Sequence, residues 1–434
     1  MSMLHPIEAA SAYDLGVLVD EKLKALVALA KAQSPFHQAR LAGIEVSGRA
    51  DLARVPILDK DAWMAASPPH SEATLTRPLG GAYIFRTGGS TGEPKFSAFS
   101  GEEFRAFVSL FLRSYHAVGL RASDRVANLF ACGSLYASFV FVNRMLEEMG
   151  TLNFPFTAAT SPEAVARHVK LFGINTLVGF PSWILQVAEV LVAEGVTIEK
   201  VFYAGEHLYD EERRYLREKL GVQVIGSAGY AAVDTGLIGY QCDRAVGGVH
   251  HVLADHTHLE IVDPETHMPV GPGEEGMLLV TNLERTLQPV IRYIIGDMAR
   301  WVEGDCDCGR TAPRFELLRR GDDVLRIGFA NVTYDEVAGA FATMPELTST
   351  IQMVKEREDR RDRLRFRIEV REPEAFDAAA MGDRLTAALS AAKPDVGKLL
   401  ATGYLHPIAY EFLPLGAIPR LPVTGKFKRT LDLS

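Results

Sequence analysis

Nine residues, Thr87-Gly88-Gly89-Ser90-Thr91-Gly92-Glu93-Pro94-Lys95, contain three glycines, two threonines and a serine, and end on a lysine. Such a run supplies backbone N–H and hydroxyl donors on a pliable loop, which phosphate oxygens need, and Lys95 adds a positive charge. It is not a Walker A loop, because no Gly-Lys-Ser/Thr follows at the required spacing. Composition alone suits a plain surface loop equally well. A second constellation is Cys242, His250, Cys306 and Cys308, a Cys₃His set of the kind that holds structural zinc. His251 is the adjacent alternative to His250, ahead of His256 and His258. The fourth cysteine, Cys132, lies in an apolar stretch and reads as core.

These groups need a scaffold, and the chain of 434 residues is long enough for one large and one small domain. Its 47% hydrophobic and 23% charged residues are those of a globular protein. A formal net charge of −9 argues against a nucleic-acid-binding face. The most apolar stretch, Phe130–Val142, falls short of the roughly 20 residues that a spanning helix needs. With no secretory signal at the N-terminus and four scattered cysteines, a reducing, cytoplasmic setting and no membrane partner are expected.

The middle third alternates helix and strand. Ser161-Pro162-Glu163 starts a helix that Gly173 ends, Ile174–Phe180 reads as a buried strand, and Pro181 opens the next helix. Ile198–Tyr203 and Val222–Ile225 are strands around a charged helix, Asp210–Leu220. This pattern predicts a parallel sheet covered on both faces, with ligands at the strands' carboxyl ends. The small-residue loops Ala204-Gly205-Glu206 and Gly226–Tyr230 fall there. From Gly247 to Trp301 short strands such as His258–Val262 and Gly276–Thr281 predict a β-rich subdomain. After Arg319–Asp323 the rhythm changes again: a helix over Tyr334–Met344, a hairpin with its charged turn at Lys355–Arg363, a helix over Ala375–Ala392, and a strand near Tyr410–Leu413. The fold class read from this is α/β. A large N-terminal domain (1–320) with parallel-type sheets and a β-rich subdomain precedes a small mobile α+β C-terminal domain (321–434).

The loop Thr87–Lys95 resembles the phosphate-binding signature of the adenylate-forming superfamily, and within it the phenylacetate–CoA ligase-like branch. Further stretches fit in order from about Tyr83 to the end. The resemblance implies that Ala204, Gly205 and Glu206 border adenine and the acyl pocket, and that Ser227, Ala228, Gly229 and Tyr230 flank the purine. Asp234 stands where the family carries a Mg²⁺-binding Glu, and Val233 replaces the usual hydroxyl residue before it. Asp297 resembles the acid that takes the ribose hydroxyls, Arg320 a ribose-contacting arginine, Asp322 the hinge, and Asp323 the branch's second acid. Lys426, in Pro419–Lys426, resembles the catalytic lysine of a lid domain. A carboxylate attacking the α-phosphate of ATP meets like charge, which such a lysine reduces. Branch members carry Cys and His at places similar to the Cys₃His set. Tyr136, Phe180 and Trp183 match acyl-pocket stretches and suggest an aromatic acid.

The implied activity is ATP- and Mg²⁺-dependent formation of an acyl-adenylate, then transfer to coenzyme A. Phe329 stands where the family has Gly along the thiol channel. It favours as alternative a carrier protein or partner enzyme as acceptor. A non-catalytic nucleotide-binding homologue is a further alternative, opposed by the presence of both Lys426 and Asp297. A homodimer is compatible with the sequence.

Overall fold

The computed structural model describes residues 5–86, 95–205, 208, 210–320, 324–327, 330–358, 361–372, 377–403, 405–420 and 427–433. The chain divides into two compact units, Met1–Leu318 and Arg319–Ser434.

In the first unit a five-stranded parallel sheet runs Leu152–Pro155, Arg125–Asn128, Thr176–Gly179, Lys200–Tyr203, Val224–Ser227. Local sequence sets its helices. Ser161 accepts the Ala164 N–H, Pro162 occupies the first turn, and Gly173 at φ +59° ends the helix Pro162–Phe172. Helix Asp210–Leu220 carries acids in its first turn and Arg217 and Lys219 in its last, matching its dipole. The apolar faces of these helices meet Leu177, Val201 and Leu129 in one core. Strand order reverses between Arg125–Asn128 and Thr176–Gly179, so their carboxyl ends flank a crevice.

A seven-stranded sheet follows, in the order Thr257–Val262, Gly276–Asn282, Val290–Val302, Arg314–Arg320, Val249–Val252, Gly236–Tyr240, Tyr230–Ala232. This is the β-rich subdomain. The N-terminal helices cover part of it, with Val19, Leu23 and Leu26 packed with Leu283 and Ile291, and Trp63 against Tyr293. A short hairpin pairs Ala82–Arg86 with Phe96–Ser100. Arg86 lies opposite Phe96 at one end of that hairpin.

The second unit is α+β. Its four-stranded sheet runs Ala409–Pro414, Arg361–Val370, Leu347–Glu358, Thr430–Asp432, with the antiparallel hairpin central and parallel strands outside. Helices Tyr334–Phe341, Ala378–Ala392 and Pro394–Ala401 accompany it. No helix among the described residues is long and apolar enough to cross a membrane.

Candidate functional site

Ser227 ends its strand at the carboxyl edge of the parallel sheet, and the next residues enter the seven-stranded sheet at Tyr230. The Ser227 N–H donates to Gln241 Oε1 at 2.7 Å, and the Ala228 N–H donates to the Tyr203 carbonyl at 2.9 Å. The buried Tyr230 hydroxyl donates to Asp297 Oδ2. Two residues 67 positions apart, each assigned by sequence to the nucleotide, thus touch. A bulge brings Asp297 there. Met277 to Leu279 advances two residues while Met298 to Ile294 advances four, and Gly296 in that span has φ +91°. A glycine inside a strand pattern is the sequence mark of such a bulge.

Asp234 is 4% exposed, and both its oxygens are engaged. Ser97 Oγ donates to Oδ1 at 2.8 Å, and the Tyr293 hydroxyl donates to Oδ2 at 2.5 Å. Ser97 sits two residues after Lys95, so the strand Phe96–Ser100 is tied to Asp234. Tyr293 and Asp297 share one strand, which therefore supplies partners to both Asp234 and Tyr230. Beside Tyr293, Arg292 holds φ +54°. Its guanidinium donates to Glu260 at 3.1 Å and to the Val55 carbonyl at 2.7 Å, and its N–H to Thr281 Oγ1 at 2.9 Å. Burial pushes the Glu260 carboxyl up, against the opposing pull of Arg292. Sequence reasoning did not single out Ser97 or Tyr293. Only their spacing to Lys95 and Asp297 could have marked them.

At the crevice between Arg125–Asn128 and Thr176–Gly179, Phe180 is buried, with its ring 5.1 Å from Phe130 and 6.0 Å from Tyr136. Trp183 packs against the core of the neighbouring helices, and its indole Nε1 is buried without a hydrogen-bond partner among the described residues. Ala204 follows the fourth strand, its N–H donating to the Gly179 carbonyl at 3.3 Å, and Gly205 turns at φ +80°. Lys95 is half-buried just before the strand Phe96–Ser100, and Arg320 ends the strand Arg314–Arg320. The other sequence assignments, Thr87, Gly88, Gly89, Ser90, Thr91, Gly92, Glu206, Asp322 and Lys426, lie outside the described residues, as does Phe329.

The thiol cluster departs from the sequence expectation in one member. Cys242, Cys306 and Cys308 gather with His251, not His250, with all four ligand atoms within 4.8 Å of one another. The reason is strand parity. Both histidines lie on Val249–Val252, where neighbours point to opposite faces. His251 stacks on Tyr240 at 5.7 Å, toward Cys242, whereas His250 stacks on Phe315 at 5.6 Å. The Cys242 and Cys306 sulfurs are 3.7 Å apart, and Cys308 Sγ is 3.5 Å from His251 Nε2. Tetrahedral zinc with bonds of about 2.0–2.3 Å implies ligand edges of roughly 3.5–3.8 Å, so the donor set fits. Burial, then the neighbouring thiols, push the Cys242 thiol up to about 12. Burial and Arg310 hold the His251 imidazole down at about 4, neutral as a ligand must be. Cys308 is lowered against the cost of burial by the backbone N–H and guanidinium of Arg310.

Gly239 lies opposite Val252, beside Phe315 and the His251 carbonyl. A Cβ there would come within 2.9 Å of the His251 carbonyl oxygen and 2.8 Å of Phe315. Gly239→Ala is expected to destabilise the fold by about 1–3 kcal/mol. An unchanged thermal midpoint would contradict this packing.

One unit with a parallel sheet and a β-rich sheet, and a second, small α+β unit, make up the chain. The chain belongs to the AMP-binding enzyme family, whose model matches residues 16–283. It is 27% identical to a phenylacetate–coenzyme A ligase of Thermus thermophilus over 96% of either chain. It is 24% identical to the phenylacetate–coenzyme A ligase of Escherichia coli over 85% of each. Among solved structures, 2-hydroxyisobutyryl-CoA ligase in its postadenylation state is similar, with a TM-score of 0.81 and 21% identity over 99% of this chain and 94% of that one.

Proposed function

We propose that this protein activates a carboxylic acid with ATP as an acyl-adenylate and passes the acyl group to the thiol of coenzyme A. The observation that carries the reading is the contact of Tyr230 with Asp297, on a strand that also holds Asp234, in a chain similar along its length to CoA ligases. In this reading adenine lies against Tyr230 and the Ser227–Gly229 loop, with Ala204, Gly205 and Glu206 at its border. The ribose hydroxyls donate to Asp297, with Arg320 beside them. Thr87–Gly92 and Lys95 take the leaving phosphates, and Asp234 would hold Mg²⁺, which would supply charge neutralisation on the phosphates. Lys426 stabilises the charge between carboxylate and α-phosphate, and Asp322 is the hinge of the lid. Tyr136 and Phe180 wall an acyl pocket suited to an aromatic acid. Cys242, His251, Cys306 and Cys308 hold a structural zinc ion.

Pyrophosphate exchange with a panel of aryl and fatty acids, followed by assay of CoA-ester formation, tests this. Exchange with no acid sinks the activating role. Exchange without thioester moves the acceptor to a carrier protein or partner enzyme, the reading that Phe329 favours. A narrower test concerns the clamp on Asp234. Tyr293→Phe deletes one of its two hydrogen bonds and is expected to lower exchange about tenfold and raise the Mg²⁺ requirement. Wild-type Mg²⁺ dependence in that variant would detach Asp234 from the metal.

A further inference from the structure

We infer that Cys306 is the reactive sulfur of the thiol cluster: it is the first to meet a hydroperoxide, Cys242 then closes a disulfide with it, and the metal site opens. The inference rests on the proposed zinc ion, which would hold all three cysteines as thiolates. Three thiolates in one cluster differ by what else they bind. The Arg244 N–H donates to Cys242 Sγ at 3.4 Å. Cys308 Sγ accepts from both the backbone N–H and the guanidinium of Arg310. That guanidinium is held from its other side, because its Nε donates to the buried Glu8 carboxylate at 3.0 Å. Glu8 in turn accepts the Tyr240 hydroxyl at 2.7 Å and the His5 N–H at 3.0 Å. Among the described residues no N–H donates to Cys306 Sγ, whose neighbours are the sulfurs of Cys242, at 3.7 Å, and Cys308.

A sulfur that attacks an electrophile gives up its negative charge, and a charge-assisted hydrogen bond to it weakens in the process. Cys242 and Cys308 resist attack for that reason, and Cys242 is also buried. Cys306 carries no such restraint and is half-buried. With a hydroperoxide, Cys306 Sγ takes the terminal OH: an S–O bond forms, the O–O bond breaks, and the leaving oxyanion takes a proton from water. Cys242 Sγ then attacks the sulfenic sulfur, so that an S–S bond forms and hydroxide leaves. The two sulfurs together give up two electrons, and the peroxide is reduced. Cys308 is the poorer second partner. Cys306-Asp307-Cys308 would have to close a disulfide across a single residue, and Cys308 is engaged by Arg310. The disulfide leaves Cys308 and His251, too few donors to keep zinc.

Treating the zinc-loaded full chain with substoichiometric hydrogen peroxide tests this, with zinc release read by a colorimetric chelator and cysteines mapped by mass spectrometry. Sulfenic acid should be trapped at Cys306 by dimedone. Without the trap a Cys242–Cys306 disulfide should form, with release of zinc that dithiothreitol and added zinc reverse. Limited iodoacetamide should label Cys306 about tenfold faster than Cys308, with exposed Cys132 as the unligated reference thiol. Arg310→Met takes the guanidinium from Cys308 and should bring those two rates within about threefold. The wild-type map decides the matter if that variant does not fold. First modification at Cys242 or Cys308, zinc kept after Cys306 oxidises, or an unchanged ratio in folded Arg310→Met overturns the inference and leaves the zinc reading intact. Protein purified without metal overturns both.

Discussion

Lys426→Ala is expected to lower acid-dependent pyrophosphate exchange by roughly 10²–10³-fold while ATP affinity stays within a few-fold. The effect is electrostatic. A carboxylate must reach the α-phosphorus of a polyanion, and repulsion grows along the approach, so a lysine between them counts most at the transition state. The groups proposed to hold the nucleotide in the ground state, Tyr230 and Asp297, are unaffected by the substitution. The second half-step makes no new bond to phosphorus. Thioester formation from a supplied acyl-adenylate should therefore persist in the variant. Exchange at the wild-type rate would sink the role given to Lys426. Parallel loss of exchange and of thioester formation would point to a damaged lid instead.

The parallel sheet was legible because each boundary carries its own chemistry. Ser161 and Pro162 open a helix, Gly173 closes it, and the apolar runs between such marks leave little choice of element. The site was legible only where one residue type is unusual for its setting, as with the glycine-rich loop or an acid in an apolar strand. Asp297 could be found, but its neighbour Tyr293 is an ordinary strand residue until the fold brings Asp234 to it. The choice between His250 and His251 depends on strand phase, which adjacent polar residues do not reveal. Val252 held the answer. It belongs to the core with Tyr230 and Phe315 and shares a face with His250, which leaves His251 for the thiols.

Removing the proposed zinc ion is expected to cost both stability and nucleotide affinity, because the thiol cluster and the loop proposed to bind the nucleotide are built on neighbouring residues. Cys242 follows Gln241, which holds the Ser227 N–H, and His251 follows His250, which holds the Ser227 hydroxyl. Without the proposed cation, three thiols within 4.8 Å of an imidazole would lack the bonds that would fix their turns. Structural zinc contributes on the order of 10 kcal/mol of binding free energy to small domains. Here a larger core shares the burden, so a drop of several degrees in thermal midpoint rather than unfolding is anticipated. The nucleotide consequence separates this from simple loss of stability. Slackening of Gln241 and His250 should weaken ATP binding about tenfold at a temperature where the metal-free protein is still folded. Elemental analysis, thermal melts and ATP calorimetry before and after chelation, with zinc added back, measure each part. A purified protein without stoichiometric metal would remove the zinc assignment. Metal loss that lowers the midpoint but leaves ATP affinity unchanged would confine the cluster to holding the turns at Cys242 and Cys306–Cys308.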